Sequence, residues 1–231
     1  MLQNYRSHDS PIVIFLHPNF SSTSVMRKWY EQYNEINETQ AYAFAYATGT
    51  QIPGTLIPPR YTWNAFPSCC YNLNNLDLND NSDVFYLYDV IQRARSLTNH
   101  VFLYGISNGA FMAHRMACEY SELLAGIMSV NGVGTSCENC AGTSDLHILQ
   151  VNGQNDTVVP PDGGTILSYP HLEPHPSAHD TMQCWINSHN ASLSPASLIN
   201  NSYVDTRWPS LPRTGGDAWV ASDGGAAAAA A

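Results

Sequence analysis

Two hydrophobic periods alternate along this chain, an unbroken or two-residue period suited to strands and a three-to-four-residue period suited to helices. Residues 11–16 (Pro-Ile-Val-Ile-Phe-Leu) form a continuous apolar run, the mark of a strand covered on both faces. Residues 24–36 then place Met26, Trp29 and Tyr33 on one side of a helix, and 41–46 reads as a second strand. A helix is predicted over 82–96, begun by a Ser or Asp cap, with Val84, Tyr88 and Ile91 inward. Residues 100–104 (His-Val-Phe-Leu-Tyr) are β-prone. In 108–120, Ala113, Met116, Ala117 and Tyr120 recur at the spacing of one buried helix face. Strands follow at 126–130 and 146–151, a helix near 180–188, and short strands at 203–206 and 218–221. Residues 47–81 carry Pro, Gly and Asn throughout and no sustained period, so they read as one long loop, and loops of that length are usually functional.

This order predicts an α/β fold, a mostly parallel sheet with helices on both faces. No repeat or second domain is visible, so one domain spanning 1–231 is expected. Nineteen acidic against nine basic residues give a net charge of −10, which repels a phosphate backbone and argues against a nucleic-acid partner. No apolar stretch approaches the roughly 18 residues that span a bilayer, so no membrane partner is expected either. The N-terminus lacks the apolar core of a signal peptide. Only 12% of residues are charged, and Asn, Ser, Thr and Tyr must cover the surface, a composition commoner outside cells. Six cysteines point the same way. Cys69 and Cys70 are adjacent, Cys137 and Cys140 form Cys-x-x-Cys, and Cys118 and Cys184 stand alone. One Cys-x-x-Cys and a vicinal pair suit zinc poorly, so disulfides are expected, with the pairing open.

The chemistry gathers at Gly105-Ile106-Ser107-Asn108-Gly109, a Gly-x-Ser-x-Gly pattern between a predicted strand and a predicted helix. That context is the nucleophile elbow of α/β-hydrolases, whose tight turn lifts the serine Oγ above the sheet edge. Its glycines are needed because larger side chains would collide with the neighbouring strand and helix. A serine nucleophile requires a histidine to take its proton and a carboxylate to hold that histidine, in the chain order Ser, acid, His. Asp156 follows the strand ending at Val151 and meets the second need. The oxyanion hole requires one N–H after the nucleophile, from Asn108, and one from the loop after the first strand. In that loop Pro18 has no N–H, so Asn19 is the second donor. His17 precedes the serine and reads as a brace for the loop.

Together, Leu-His-Pro-Asn-Phe-Ser-Ser (16–22), Tyr-Thr-Trp-Asn-Ala-Phe-Pro-Ser-Cys-Cys (61–70), the stretch 105–119 and Val-Asn-Gly-Gln-Asn-Asp-Thr-Val-Val-Pro-Pro-Asp-Gly-Gly (151–164) resemble the polyhydroxybutyrate depolymerase and feruloyl esterase group of secreted α/β-hydrolases. The resemblance implies an extracellular carboxylesterase acting on polyesters, or on feruloyl or acetyl esters of plant polysaccharides. It puts the nucleophile at Ser107 and the acid at Asp156. It also puts Trp63 near the acyl or leaving-group pocket, or as an anchor of its loop.

Three positions depart from that pattern. Pro18 stands where the family has glycine. The chain starts almost at its first strand, so leading strands of the sheet are expected to be missing. Gly215-Gly216-Asp217-Ala218-Trp219 matches a Gly-Gly-His-x-Trp motif with Asp217 in the histidine's place, and a carboxylate there cannot shuttle the proton. The alanine run 226–231 is a second place where the base could be hidden. Among the histidines present, His179 or His175 is the fallback base, since both follow Asp156 in a loop. Pro170, Pro174 and Pro176 keep His171, His175 and His179 off one helical face, so no metal site is expected and these histidines read as exposed loop residues. His114 and His147 are expected to be packed or hydrogen-bonded. The mechanism expected is acyl-enzyme ester hydrolysis with no metal or organic cofactor. A peptidase of the same fold and a non-catalytic binder of polysaccharide or polyester are the alternatives.

Overall fold

A computed structural model describes residues 2–3, 5–33, 42–70, 80–134, 140, 146–167, 169–188, 203–207 and 218–223; for 31–33, 188, 203–207 and 218–223 it describes the backbone. The elements are β1 (Ile12–Leu16), α1 (Thr23–Tyr33), β2 (Ala43–Ala47), β3 (Thr50–Gln51), β4 (Tyr61–Thr62), α2 (Ser82–Arg95), β5 (Val101–Ile106), α3 (Asn108–Tyr120), β6 (Gly126–Val130), β7 (His147–Gly153), α4 (Ala178–Ser188), β8 (Tyr203–Arg207) and β9 (Ala218–Asp223).

Seven strands form one sheet in the order β2-β1-β5-β6-β7-β9-β8. All neighbours run parallel except β8, which closes the edge antiparallel to β9. Alternation along β1 sorts the two faces. Ile12, Ile14 and Leu16 join a large core with α2, α3 and α4, while Phe15 faces the other way with Phe44 of β2 and Met26 of α1. Phe15 lies 4.5 Å from Tyr30 and 5.2 Å from Tyr46 between ring centroids, so α1 is held by an aromatic cluster. Helices thus cover both faces, as a parallel sheet requires.

Two sequence expectations change. The loop expected over 47–81 contains a hairpin, with Thr50 opposite Thr62 and Gln51 opposite Tyr61. The cap expected for α2 is not made: Asn81 occupies that position without a side-chain bond, and Asp83 turns inward. Its Oδ2 accepts from the Asn64 N–H at 2.7 Å and its Oδ1 from the Thr50 hydroxyl at 2.9 Å, tying the loop to α2. Burial raises the Asp83 pKa, against the opposing effect of these bonds. Arg115 of α3 adds a second tie, donating to the Asn64 carbonyl at 2.7 Å.

The described cysteines are oxidised. Cys118 is bonded to Cys140 and Cys69 to its neighbour Cys70, and Cys184 is also in a disulfide. No helix among the described residues is long and apolar enough to cross a membrane.

Candidate active site

From β1 the chain moves outward to β2, and from β5 it moves the opposite way to β6 and β7. Strand order therefore reverses between β1 and β5, and in open parallel sheets ligands bind at the carboxyl edge of such a point. The loops leaving there carry the expected donors and nucleophile. Leu16 is in register with Gly105, so the Asn19 loop and Ser107 leave adjacent strands at the same level.

Ser107 sits between β5 and α3 with φ 52° and ψ −120°, a conformation that L-residues rarely adopt. Its N–H is held by the Val130 carbonyl at 2.8 Å, and its own carbonyl accepts from Ala110 and Phe111 at the start of α3. The flanking glycines are sterically required. A Cβ on Gly105 would overlap the Gly109 carbonyl, and one on Gly109 would overlap the Leu16 carbonyl of β1. Phe20 (φ 55°) after β1 and Asn131 (φ 50°) after β6 share this backbone region, and both lie at the same edge. Strain gathered on one edge is a mark of a functional site.

Asn108 opens α3, so its backbone N–H has no acceptor within the helix and is free to face an oxyanion. Its side chain is wholly buried and works on the long loop: Oδ1 accepts from the Trp63 N–H at 2.7 Å, and Nδ2 donates to the Trp63 carbonyl at 2.9 Å. Asn19 donates through Nδ2 to the Tyr169 hydroxyl at 2.7 Å, while its Oδ1 is buried without a partner among the described residues. Burial raises the Tyr169 pKa, partly offset by that bond, so the phenol is neutral near pH 7.

Asp156 follows β7, two strands from Ser107, and is buried. Its Oδ1 accepts from the N–H groups of Val158 at 2.8 Å and Val159 at 3.0 Å, a turn that fixes the carboxylate. Its Oδ2 is buried with no partner among the described residues, an acceptor awaiting a donor.

The fallback histidines do not supply that donor. His179 lies exposed at the start of α4 and pairs with Asp180 at 3.5 Å. His175 is buried, correcting the expectation of an exposed loop residue, because its ring packs edge-on to Phe111 at 5.9 Å. Its Nδ1 bonds the Pro176 carbonyl at 2.8 Å, its Nε2 has no partner among the described residues, and burial lowers its pKa. Asp217 and the alanine run lie outside the described residues. Ala218, the residue after Asp217, opens β9 beside Ile148, near the amino edge; β9 reaches the carboxyl edge at Asp223, beside Gly153.

Trp63 anchors the loop. It is wholly buried, its indole N–H donates to the His17 carbonyl at 3.0 Å, and its ring lies 5.0 Å from the His17 ring, which leaves no surface for a substrate. His17 is itself a brace: Nδ1 donates to the Pro18 carbonyl at 2.8 Å and Nε2 accepts from the Gly49 N–H at 3.1 Å. Burial, working against the Pro18 bond, lowers its pKa to about 4, so it stays neutral. His114, expected to be packed, is wholly buried: Nε2 donates to Gln150 Oε1 at 2.8 Å and Nδ1 accepts from the Trp185 indole at 3.2 Å. His147, expected to be packed or hydrogen-bonded, is exposed on β7, where its main-chain N–H donates to the Ala125 carbonyl at 3.1 Å.

The sheet order and the strained serine turn define an α/β-hydrolase. Residues 2–182 match the phospholipase/carboxylesterase family, and the chain belongs to it; as a member it is a carboxylic ester hydrolase. Solved structures agree on the fold. The chain is 18% identical to the acetyl xylan esterase from Aspergillus awamori, with a TM-score of 0.57 over 95% of this chain and 84% of that one. It is 14% identical to Zea mays acyl-protein thioesterase 2 (TM-score 0.55, 82% and 84% covered) and to the Bacillus cereus carboxylesterase (TM-score 0.53, 82% and 79% covered). No curated protein matches the sequence.

Proposed function

We propose that this protein is an extracellular serine carboxylesterase of polyesters or of feruloyl or acetyl esters on plant polysaccharides. Ser107 attacks the ester carbonyl, and the N–H groups of Asn108 and Asn19 receive the oxyanion. The alcohol leaves, and water then releases the acid from the acyl-enzyme. Asp156 is the acid of the triad. The observation that carries this reading is the pairing, on one sheet edge, of a strained serine turn with a buried carboxylate whose Oδ2 has no partner among the described residues. No histidine of the sequence follows His189, and the resemblance expects the base where Asp217 stands. The substrate class rests on the sequence resemblance, and the disulfides suit an oxidising compartment.

The test is labelling with a fluorophosphonate probe, read by mass spectrometry, beside turnover of feruloyl, acetyl and hydroxyalkanoate esters. Covalent label at Ser107, and loss of both label and turnover by several orders of magnitude in Ser107→Ala, are expected. An unlabelled Ser107 in the folded protein means a non-catalytic binder instead. Preferential cleavage of peptides would replace the esterase reading by the peptidase one.

A further inference from the structure

The vicinal pair Cys69–Cys70 has no part in the mechanism above, yet it lies against the residue next to the nucleophile. Both cysteines are buried, and the Asn108 Nδ2 reaches Cys69 Sγ at 3.7 Å. The Thr62 hydroxyl lies 3.3 Å from Asn108 Oδ1 and 3.5 Å from the Cys70 carbonyl, closing the same pocket. The Asn108 carboxamide is therefore wedged between the Trp63 backbone on one side and the two-cysteine ring on the other. Four features meet there: a left-handed Cys70 (φ 78°), a wholly buried amide, a disulfide and the first residue of α3. The second mapped disulfide, Cys118–Cys140, starts ten residues further along α3.

We propose that the Cys69–Cys70 disulfide is a positioning element of the oxyanion site. It clamps the Asn108 side chain, and through it the direction of the Asn108 N–H, and its reduction releases both. This rests on the reading of Ser107 as nucleophile and Asn108 N–H as oxyanion donor. The reduction is a two-electron exchange with a dithiol. The Sγ–Sγ bond breaks, each sulfur gains a proton, and the reductant closes to its own disulfide. The two sulfurs then separate from bonding to van der Waals distance. In a pocket packed this tightly, one of them has to move against Asn108 or Trp63.

The experiment compares wild type, Cys69→Ser/Cys70→Ser and, as a control for loss of a disulfide elsewhere, Cys118→Ala/Cys140→Ala. It measures kcat and KM for a short p-nitrophenyl ester, and the backbone and side-chain amide resonances of Asn108. Removing an oxyanion donor costs about 10²–10³-fold in kcat, so displacing one is expected to lower kcat about 10–100-fold, with KM changed less than about threefold. The Asn108 resonances move with it, and the control keeps kcat within about twofold. Should the serine pair fail to fold, wild type titrated with dithiothreitol, its thiols mapped by alkylation, gives the same comparison. Asn108 resonances that stay in place once Cys69 and Cys70 are reduced overturn the proposal, and so do resonances that move while kcat does not. If no form hydrolyses ester, the catalytic reading has failed, and Asn108 resonances that move on reduction still establish the clamp.

Discussion

His114 makes acid stability a quantitative test of how α3 is held to the sheet. Its imidazole is wholly buried between Gln150 of β7 and Trp185 of α4, and burial, opposed by the Gln150 bond, lowers its pKa from 6.5 to about 4. Below pH 6.5 the unfolded chain takes up a proton at this residue, whereas the folded chain refuses it until about pH 4. Stability is thus full above pH 6.5 and falls as pH falls toward 4. Each tenfold in proton affinity is worth about 1.4 kcal/mol, so the whole loss from this histidine is about 3 kcal/mol, of which roughly 2 is spent by pH 5. His17, lowered to about 4 as well, loses stability in the same window. His114→Gln keeps a donor and an acceptor but cannot titrate, so wild type and variant differ in pH dependence through His114 alone. Urea unfolding at pH 7.5, 6.5, 5.5 and 5.0, extrapolated to water, measures the difference. The variant's stability should fall less than wild type's by about 2 kcal/mol between pH 7.5 and 5.0. Parallel curves for the two proteins would refute the neutral, wedged imidazole.

Gly109→Ala drives a methyl into the Leu16 carbonyl and should destabilise by at least about 3 kcal/mol, seen as a lowered urea midpoint or as insoluble protein. Asp83→Asn sets an NH₂ against the Asn64 N–H or forfeits the Thr50 bond; a loss of roughly 1–3 kcal/mol in urea unfolding is expected. Cys118→Ala/Cys140→Ala opens a loop of 22 residues and should cost about 3 kcal/mol by the same measurement. Asp217→His tests the motif alignment: a sharp rise in p-nitrophenyl ester turnover would put the base at 217, and no rise would agree with Ala218 standing near the amino edge.

Where packing alone decides, the sequence was readable. The apolar run of β1 and the three-to-four spacing of α3 report burial directly, and α3 begins and ends where its pattern does, at Asn108 and Tyr120. Gly-x-Ser-x-Gly was readable as a motif, although only Gly105 answers to a contact within the turn and Gly109 answers to Leu16 of β1. Residues whose role depends on distant partners were not. Asp83 looks like a cap because its partners, Asn64 and Thr50, lie 19 and 33 residues away. Trp63 looks like a pocket wall until the His17 carbonyl is found beside its indole N–H. The hairpin of β3 and β4 has two residues per strand, too few to carry a period. His175 sits among prolines that suggest an exposed loop, and only the approach of Phe111 shows that it is covered. A motif also does not say at which end of a strand it stands. The register of β9 with β7 does, and it sets Ala218 near the amino edge.

Three bonds couple the strand ends at the candidate site. The Ser107 N–H meets the Val130 carbonyl, the Asn131 N–H meets the Val151 carbonyl, and the Gly153 N–H meets Asn131 Oδ1 at 2.9 Å. Two main-chain rungs and the Asn131 side chain thus couple the turn of Ser107 to the strand that leads to Asp156. For an engineer, this separates two kinds of loop position. Loop residues that make no bond to Asp156 or Asn19 are open to exchange for a different acyl or alcohol group, whereas Val158, Val159 and Tyr169 have to stay.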